Sequence, residues 1–371
     1  MKRIVGQENT TAIWWGLLAF LALNLMGLQN LQHADNYANC GVHENQLIWT
    51  ILGFSIAMIA MIMDLSIILR IAPIVYWLGI LLLVVVLALP AHKGTHRWIN
   101  LFGLSIQPSE VMKFLLALML AHHFKFRKAT ERYQLRTLAL PIVYTLLPTV
   151  LVLVEPDLGT SMVICFVGFA IMFFEGVQTR TFLALIGFVL LVFPLAWKSG
   201  VIRSYQKQRI SSWAKQFSTP WTQIARNPDD QDRQPVNSIK AIAIGQRAGK
   251  GTGKGREVRY LSELCTDFVV AALAVERGFQ GCLIMLLLYF MYVTWGFFVA
   301  QNATDKFGVL VAVGVITSLA VQVIMNLFMV TRMIPVVGVT LPLFSYGGSA
   351  LITNMIGFGV LLNIARTRGS L

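Results

Sequence analysis

Charged residues are scarce in this chain of 371 residues. Only 13% are Asp, Glu, Lys or Arg, against about 25% in ordinary soluble domains, and 56% are hydrophobic. The sequence also has no Walker phosphate-binding motif and no visible internal repeat. The scarcity of charge excludes an ordinary soluble domain, and no cytosolic nucleotide-binding motif is visible. The mean hydropathy of +0.68 indicates an integral membrane protein.

Ten apolar windows of roughly 17 to 25 residues are candidate transmembrane helices. They lie near residues 12–29, 46–64, 71–90, 110–124, 138–154, 158–175, 181–197, 268–299, 307–330 and 349–365. The first follows a short basic tip, but no small-residue cleavage site is evident, so we interpret it as a retained helix. The predicted fold is an all-α polytopic membrane protein, a single integral membrane domain over residues 1–371.

Lys and Arg are distributed unevenly among the short loops. The side that contains both termini holds most of them, whereas the short loops opposite hold only Lys93, Arg97 and Arg332. Because basic loops stay in the cytoplasm, both termini are predicted to be cytoplasmic. The connection between helices 7 and 8, residues 198–267, is then a long extracytoplasmic (periplasmic or extracellular) loop.

This outer loop is basic, with thirteen Lys and Arg against six Asp and Glu. One interpretation is attraction to anionic lipid headgroups. The other is a site for an anionic substrate delivered from the bilayer, because several nearby cations can neutralise a phosphate group. The net charge of +13 would otherwise indicate nucleic acid, which is not an expected partner outside a membrane.

The outer loop contains "AIAIGQRAGKGTGKG", residues 241–255. Its glycine density is typical of a flexible connector. It is equally typical of a phosphate cradle, in which backbone N–H groups act with Lys250 and Lys254. The sequence alone leaves both interpretations open.

Polar residues also mark the outer ends of other spans. The stretch "KGTHRWINLFGLSIQPSEVMKF" carries Glu110 and Lys113, which share one helical face, and an ionisable residue within a span is by default a functional candidate. The alternative is a pair that only satisfies itself. "EPDLGTS" adds Glu155 and Asp157, and "RMIPVVGVTLPLFSYGGSAL" reads as a re-entrant stretch, which requires cover by protein.

The four cysteines form two groups. Cys165 and Cys282 fall within spans, where cysteine behaves as a small apolar residue. Cys40 and Cys265 are predicted to face an oxidising compartment, but the sequence does not supply the distance between them. We expect them to be unpaired, with a disulfide as the alternative.

Six motifs, in this order over nearly the full chain, carry a family resemblance: "KGTHRWI", "QPSEVMKF", "EPDLGTS", "YQKQRI", "TDFVVA" and "PVVGVTLPLFSYGGSAL". They resemble the SEDS family of cell-wall polymerases, which comprises the RodA, FtsW and SpoVE proteins. The last motif and "YQKQRI" are more similar to RodA. Residues 239–261 are closer to some FtsW sequences.

The resemblance implies a peptidoglycan glycosyltransferase in the bacterial cytoplasmic (inner) membrane that polymerises lipid II, a disaccharide-pentapeptide on undecaprenyl pyrophosphate. It implies, as partners, a class B penicillin-binding protein and other elongation or division complex membrane proteins. No cofactor is certain from the sequence. The resemblance leaves open a divalent cation, Mg²⁺ or another, and the sequence does not identify its ligands.

The resemblance also assigns site residues. Converting an α-linked sugar pyrophosphate to a β-1,4 glycoside requires inversion, so one base must deprotonate the incoming hydroxyl. Asp267 matches the family's essential aspartate, and we predict Asp267 as that base, with Glu110 orienting it or a cation. The predicted substrate-binding residues are Lys93, Arg97, Trp98, Lys113, Arg209, Lys250 and Lys254.

The chain departs from the family near Asp267. Cys265 stands where the family usually has a His, so any role of that His is missing. The chain reads "VERG" at residues 275–278, where we expect Glu276 and Arg277 to satisfy each other or nearby backbone. Residues 213–238 match weakly and have a disordered composition.

Two other functions compete. A lipid flippase would also need many helices and an anionic lipid track, but the motif residues gather at outer helix ends, which favours chemistry over passage. A noncatalytic scaffold is the third alternative, in which Asp267 is only an N-cap of the following helix.

Overall fold

The computed structural model describes residues 2–89, 97–101, 104–127, 135–178, 187, 204–226, 228 and 232–367. Twelve α-helices have both ends within those ranges: α1 (Lys2–Ala38), α2 (His43–Ile62), α3 (Leu65–Ala88), α4 (Pro108–Lys125), α5 (Leu135–Val154), α6 (Leu158–Phe174), α7 (Ser204–Ala214), α8 (Trp221–Arg226), α9 (Arg233–Gly245), α10 (Val269–Gln301), α11 (Lys306–Val330) and α12 (Gly348–Thr367). A small antiparallel hairpin of β1 (Ile99–Leu101) and β2 (Leu104–Ile106) precedes α4.

Nine of the ten predicted spans coincide with helices. The remaining predicted span, the seventh in chain order at residues 181–197, lies outside the described residues except for Gly187. Among the described helices, α1, α2, α3, α10, α11 and α12 are long and apolar enough to cross a bilayer, and α5 and α6 contribute shorter apolar segments. The all-α polytopic membrane fold is therefore confirmed, while the count of ten stays a prediction.

Helix α4 lies at the centre of the bundle, packed against α3, α6 and α11. Small residues allow this close approach, since a Cβ on Gly314 of α11 would lie 2.5 Å from the Cβ of Ala117 in α4. Such contacts supply packing between helices that lipid would not. Because three helices enclose α4, the polar residues of its first two turns are buried in protein.

The described part of the predicted outer loop is folded. It contains α7, α8 and α9, and two 3₁₀ turns at Lys215–Phe217 and Arg256–Tyr260. The expected disorder of residues 213–238 is wrong for the part that the structure describes, because α8 buries Ile224 and α9 buries Val236. The expectation came from the polar average composition of the segment. Average composition does not show that the few apolar residues lie together on the buried side of each helix.

Helix α10 is interrupted at Gly278, whose φ of 60° and ψ of −161° are not helical. Residues 245–255, here called the glycine-rich loop, fill the break, and Lys250 N donates to Val275 O (2.8 Å). The loop passes so close that a Cβ on Gly249, where φ is +77°, would lie 2.1 Å from the facing carbonyl oxygen. These contacts satisfy backbone groups that a broken helix would leave unpaired.

The connection between α11 and α12, residues 331–347, is irregular and largely buried; we call it the re-entrant segment. Some of its polar groups find partners within the protein. Asn326 Nδ2 donates to Val339 O (2.7 Å), and Leu341 N donates to Ser345 Oγ (2.9 Å). Irregular backbone of this kind persists only where protein covers it, as the sequence led us to expect.

A disulfide joins Cys40 and Cys265, with their Cα atoms 6.8 Å apart. The expectation that these residues stay unpaired is therefore wrong. The reason is tertiary: the fold brings the turn after α1 against the loop before α10, across 225 residues of sequence. Cys165 and Cys282 are free, as expected.

Candidate active site

Asp267 lies just before α10, in residues 261–268, here called the Asp267 loop. Its backbone carbonyl accepts a hydrogen bond from Asn326 Nδ2 (2.9 Å). Asn326 is fully buried in α11 and also holds Val339 of the re-entrant segment. One amide group therefore fixes the backbone of Asp267 against the irregular segment beside it.

The carboxylate of Asp267 is not a helix cap. Phe268 occupies the N-cap position of α10, and no side-chain capping bond is made there. The Asp267 residue is partly exposed, and a Cβ on Gly338 would lie 3.7 Å from its Oδ2. The alternative in which Asp267 merely caps the helix is thus contradicted by the geometry, and its carboxylate stays available for chemistry.

Three charged side chains, Glu263, Asp157 and Arg209, act electrostatically on the carboxyl group of Asp267. Burial, the largest cause, and the carboxylates of Glu263 and, more weakly, Asp157 together raise the pKa of Asp267 to about 7, against the opposing positive charge of Arg209. A carboxyl group with a pKa near neutrality holds and releases a proton readily at physiological pH, which is the property that a general base needs.

Arg209 extends from α7 to the re-entrant segment, where its Nη1 donates to Val336 O (2.9 Å). It also acts electrostatically on Asp267. Among those predicted substrate-binding cations that the structure describes, Arg209 is therefore the one brought to the candidate base. It lines a small cleft together with Trp213 and the buried ion pair of Arg332 and Asp232.

Asp157 connects two further motifs. Its carboxylate caps α6 by accepting from Thr160 N (3.1 Å) and Thr160 Oγ1 (3.0 Å), and it accepts from Gln107 Nε2 (2.8 Å). Gln107 precedes α4, so this bond joins the start of α4 to the start of α6. The sequence placed Asp157 at the outer face but did not predict it as a site residue. Its fixed negative charge helps set the proton affinity of Asp267.

Glu155 provides a second carboxyl group with a raised pKa, and the sequence did not predict it as a site residue. It is fully buried, and neither of its carboxyl oxygens has a hydrogen-bond partner. Burial and, to a smaller extent, the negative charge of Asp157 raise the pKa of Glu155 to about 8, with a partial offset from Arg97. At neutral pH Glu155 is therefore mostly a neutral acid, held beside the site.

Replacing Glu155 by Gln should remove a pH dependence of stability. The pKa of Glu155 is raised from 4.5 to about 8, so between these values the folded protein holds a proton that the unfolded chain releases. Stability from this group therefore falls as pH rises through that window. We expect the melting temperature of E155Q, relative to wild type, to increase from pH 5 to pH 8 and to change little above.

Glu257→Gln is the matched control, because Glu257 is only half-buried and its hydrogen bond with Lys250 lowers its pKa. The difference in melting temperature between E257Q and wild type should stay constant from pH 5 to pH 8. A constant difference for E155Q as well would show that Glu155 is ionised in the folded protein.

Arg97 braces the Glu155 backbone. Its Nε donates to Glu155 O (2.9 Å), and its Nη2 donates to Pro156 O. Trp98, the next residue, is half-buried at the start of the hairpin. A phosphate contact by either residue stays a prediction, and Lys93 lies outside the described residues.

Glu110 and Lys113 form an ion pair, with Lys113 Nζ 2.7 Å from Glu110 Oε2. Lys113 Nζ also donates to Gln322 Oε1 of α11 (2.7 Å), and both charged residues are buried. The geometry thus matches the alternative in which the pair satisfies itself. Their predicted roles, Lys113 on phosphate and Glu110 toward Asp267 or a cation, stay predictions.

The glycine-rich loop directs its N–H groups inward. Gly253 N donates to Glu276 Oε1 (3.0 Å), while Lys250 pairs with the carboxylate of Glu257 and Lys254 is exposed. The loop is therefore anchored on α10 and is not a flexible connector. A pyrophosphate contact through Lys250 would compete with Glu257, and the contacts of Lys250 and Lys254 with substrate stay predictions.

Glu276 is the anchor of that loop. Besides Gly253 N, it binds His33 Nδ1 (2.8 Å) and the hydroxyl of Tyr37, both on α1. Arg277 Nη2 instead donates to Gln29 Oε1 (3.1 Å). Glu276 and Arg277 therefore do not pair with each other, because their side chains reach α1 at different positions, whereas the other expected partner, nearby backbone, is found for Glu276 at Gly253 N.

A metal ion finds few ligands in this site. Among the described residues, one group of three potential ligands lies within 4.8 Å of one another, namely Asp35, Cys40 and Cys265, and two of these form the disulfide. The carboxylate of Asp157 already accepts three hydrogen bonds. Asp267 could offer one carboxylate to a cation whose remaining ligands are phosphate oxygens and water, as Mg²⁺ prefers.

Comparison with known proteins identifies the family of this chain. Residues 9–370 match the family described as cell cycle protein, which covers FtsW, RodA and SpoVE. Peptidoglycan glycosyltransferase MrdB of Escherichia coli K12 is 36% identical over 79% of this chain and 77% of its own length. Stage V sporulation protein E of Bacillus subtilis is 36% identical over 74% of this chain and 72% of its own length.

Solved structures agree along almost the whole chain. RodA, the rod shape determining protein of Thermus thermophilus, has a TM-score of 0.71 at 27% identity and covers 96% of this chain and 97% of its own. A chain from a peptidoglycan synthase complex that coordinates polymerisation and crosslinking has a TM-score of 0.78 at 28% identity, with 96% and 98% covered. The chain belongs to the FtsW/RodA/SpoVE family, the SEDS family that its motifs predicted.

Proposed function

We propose that the protein is a peptidoglycan glycosyltransferase that polymerises lipid II into β-1,4 glycan strands. One observation carries the proposal: the partly exposed carboxylate of Asp267 has a pKa raised to about 7 and lies beside a cation, Arg209. Curated relatives named peptidoglycan glycosyltransferases, which share 36% identity with this chain, support the same activity.

In the proposed reaction, Asp267 removes the proton from the incoming 4-hydroxyl as that oxygen attacks the anomeric carbon. The bond from this carbon to the undecaprenyl pyrophosphate breaks on the opposite face, so the configuration inverts. A pyrophosphate leaves as an anion and requires positive charge more than a general acid. Arg209 supplies it nearest the base, and preorganised charge of this kind stabilises a departing anion by several kcal/mol.

The activity should therefore depend on the ionisation of Asp267. We expect kcat/KM for strand synthesis from lipid II to fall about tenfold per pH unit well below pH 7, because only the deprotonated carboxylate is a base. In Glu263→Gln the midpoint should move to lower pH, because the neighbouring negative charge that raises the pKa is gone. A flat profile between pH 5 and 8 would exclude a catalytic base with a pKa near 7.

The flippase alternative is separated by a second measurement on the same preparation. If reconstituted protein moves labelled lipid II across vesicles and makes no strands, the polymerase proposal fails. Strand synthesis without transbilayer movement supports it.

We also propose an orientation, with both termini in the cytoplasm of a bacterial inner membrane and the Asp267 loop outside. The basic residues of the inner loops support it. A membrane-impermeant label should reach a cysteine placed at the exposed Lys254 in intact spheroplasts. Labelling only after lysis would reverse the topology and move Asp267 away from an extracytoplasmic substrate.

A class B penicillin-binding protein is the proposed partner, together with other membrane proteins of the elongation or division complex. The similar chain from a synthase complex that coordinates polymerisation and crosslinking supports this. Co-purification of the two proteins with faster strand synthesis would support it further, and independent migration with unchanged rate would contradict it. The matching identities of MrdB, FtsW and SpoVE relatives, 36% each, do not separate elongation from division.

Mg²⁺ remains part of the proposal only as a cation shared between Asp267 and the pyrophosphate. The chemistry it would supply is neutralisation of the phosphate charge. Its predicted signature is loss of strand synthesis on chelation and recovery with Mg²⁺, and full activity after chelation would remove it from the proposal.

A further inference from the structure

The outer end of α1 is folded into a tight turn by Asp35. Its Oδ1 accepts from Gly41 N (2.6 Å), and its Oδ2 accepts from Val42 N (3.0 Å) and His43 N (2.9 Å). Gly41 adopts a φ of +65°, which a glycine tolerates without strain. Cys40 lies inside this turn, so the carboxylate of Asp35 fixes the position from which its sulfur extends.

The disulfide carries this fixed position to the Asp267 loop. Cys265 is buried, and its carbonyl accepts a hydrogen bond from Tyr346 N of the re-entrant segment (2.8 Å). Asp267 follows two residues later, with its own carbonyl held by Asn326. The loop is thus attached by hydrogen bonds on the side of α11 and the re-entrant segment, and by a covalent bond on the side of α1.

We propose that the Cys40–Cys265 disulfide is a positioning bridge for Asp267, so that strand synthesis requires the oxidised protein. The inference rests on the proposed role of Asp267 as the base. Neither cysteine touches substrate; both act through the backbone of the Asp267 loop. Without the bridge, the hydrogen bonds to Tyr346 and Asn326 remain, but the side of the loop that faces α1 loses its covalent attachment.

The bridge can be opened by thiol–disulfide exchange with an external dithiol. A thiolate of the reductant attacks Cys40 Sγ, the more accessible sulfur, and Cys265 leaves as a thiolate that takes up a proton. The second thiol of the reductant then closes on the mixed disulfide and releases Cys40. Two electrons pass to the bridge, and the reductant becomes a disulfide; an oxidised disulfide-exchange protein outside the membrane runs the steps backward.

Asp35 also bears on this exchange. One of its carboxylate oxygens lies within 4.8 Å of both sulfur atoms. A negative charge there repels an approaching thiolate and disfavours a thiolate leaving group. The turn that positions Cys40 therefore also slows its reduction.

The test compares oxidised and reduced wild-type protein in strand synthesis from lipid II. All four cysteines are among the described residues and two are free, so complete reduction should raise the thiol count from two to four. We expect reduction to lower kcat on the order of 10²-fold with little change in KM, since a small displacement of a catalytic group costs about that much. Reoxidation should restore the rate.

The pH dependence of strand synthesis provides a second test. A loss of stability alone would not change its midpoint. Burial is the leading cause of the raised pKa of Asp267. A loosened loop admits water, so the midpoint of the reduced protein should move from about 7 toward the ordinary value near 4. The double variant C40S/C265S should behave like the reduced protein, and C282S, which alters a free cysteine, should behave like the oxidised one.

The outcomes separate this inference from the proposed function. If oxidised wild type makes no strands, the proposed function fails. If oxidised and reduced wild type make strands at the same kcat and with the same pH midpoint, the proposed function stands and the positioning bridge is refuted. If C40S/C265S does not fold, reversible reduction of the wild type decides alone.

Discussion

Asp267→Asn is expected to lower strand synthesis by about 10²- to 10⁴-fold, because removing a general base costs that much in rate. Asn has nearly the same shape as Asp and cannot accept the proton. The backbone bond to Asn326 does not involve the side chain, so the loop should keep its position. The assay is the polymerisation of lipid II by purified protein with its partner.

The fold of the variant is checked by its melting temperature and by its Cys40–Cys265 disulfide, which should both be retained. Glu263→Gln is the matched control, since it removes a neighbouring carboxylate and should keep activity at pH 8. A normal yield of polymer from D267N would refute the assignment of the base while leaving family membership untouched.

Lys113→Met is expected to destabilise the protein strongly. The substitution leaves the buried carboxylate of Glu110 without its cation and Gln322 without a donor. Breaking a buried pair on one side costs roughly 3–5 kcal/mol. The melting temperature in detergent should fall accordingly. Lys125→Met, which breaks a more exposed pair with Asp305, should cost at most about 1 kcal/mol.

The double variant E110Q/K113M separates structure from catalysis. If the pair only satisfies itself, the double variant should recover most of the lost stability and remain active. If Lys113 contacts phosphate, as its motif predicted, the double variant should fold but show a raised KM for lipid II. A fully inactive and unstable double variant would contradict both roles.

The sequence was sufficient to predict what depends on local pattern. Apolar windows predicted the helices, and "TDFVVA" predicted Asp267 immediately before a span. The motif around Glu110 and Lys113 predicted a polar pair at the start of α4, which the structure contains. These features can be predicted from the sequence because each lies within a few residues of its own partners or of a helix boundary.

Features that depend on distant contacts were not predictable. The Cys40–Cys265 bond joins residues 225 positions apart, and the glycine-rich loop fills a break in α10 that no composition encodes. Glu155 was visible in its motif, but its raised pKa follows from complete burial, which only the packing of the bundle determines. Proximity across the chain is a property of the fold, so sequence patterns could only leave these alternatives open.

The binding of Glu276 to His33 and Tyr37 has a consequence for biosynthesis. The carboxylate that pairs with His33 and Tyr37 of α1 comes about 240 residues later in the chain. Contacts of such high sequence separation form late and slowly. This part of α1 must therefore wait in the bilayer, incompletely paired, until translation has passed residue 276.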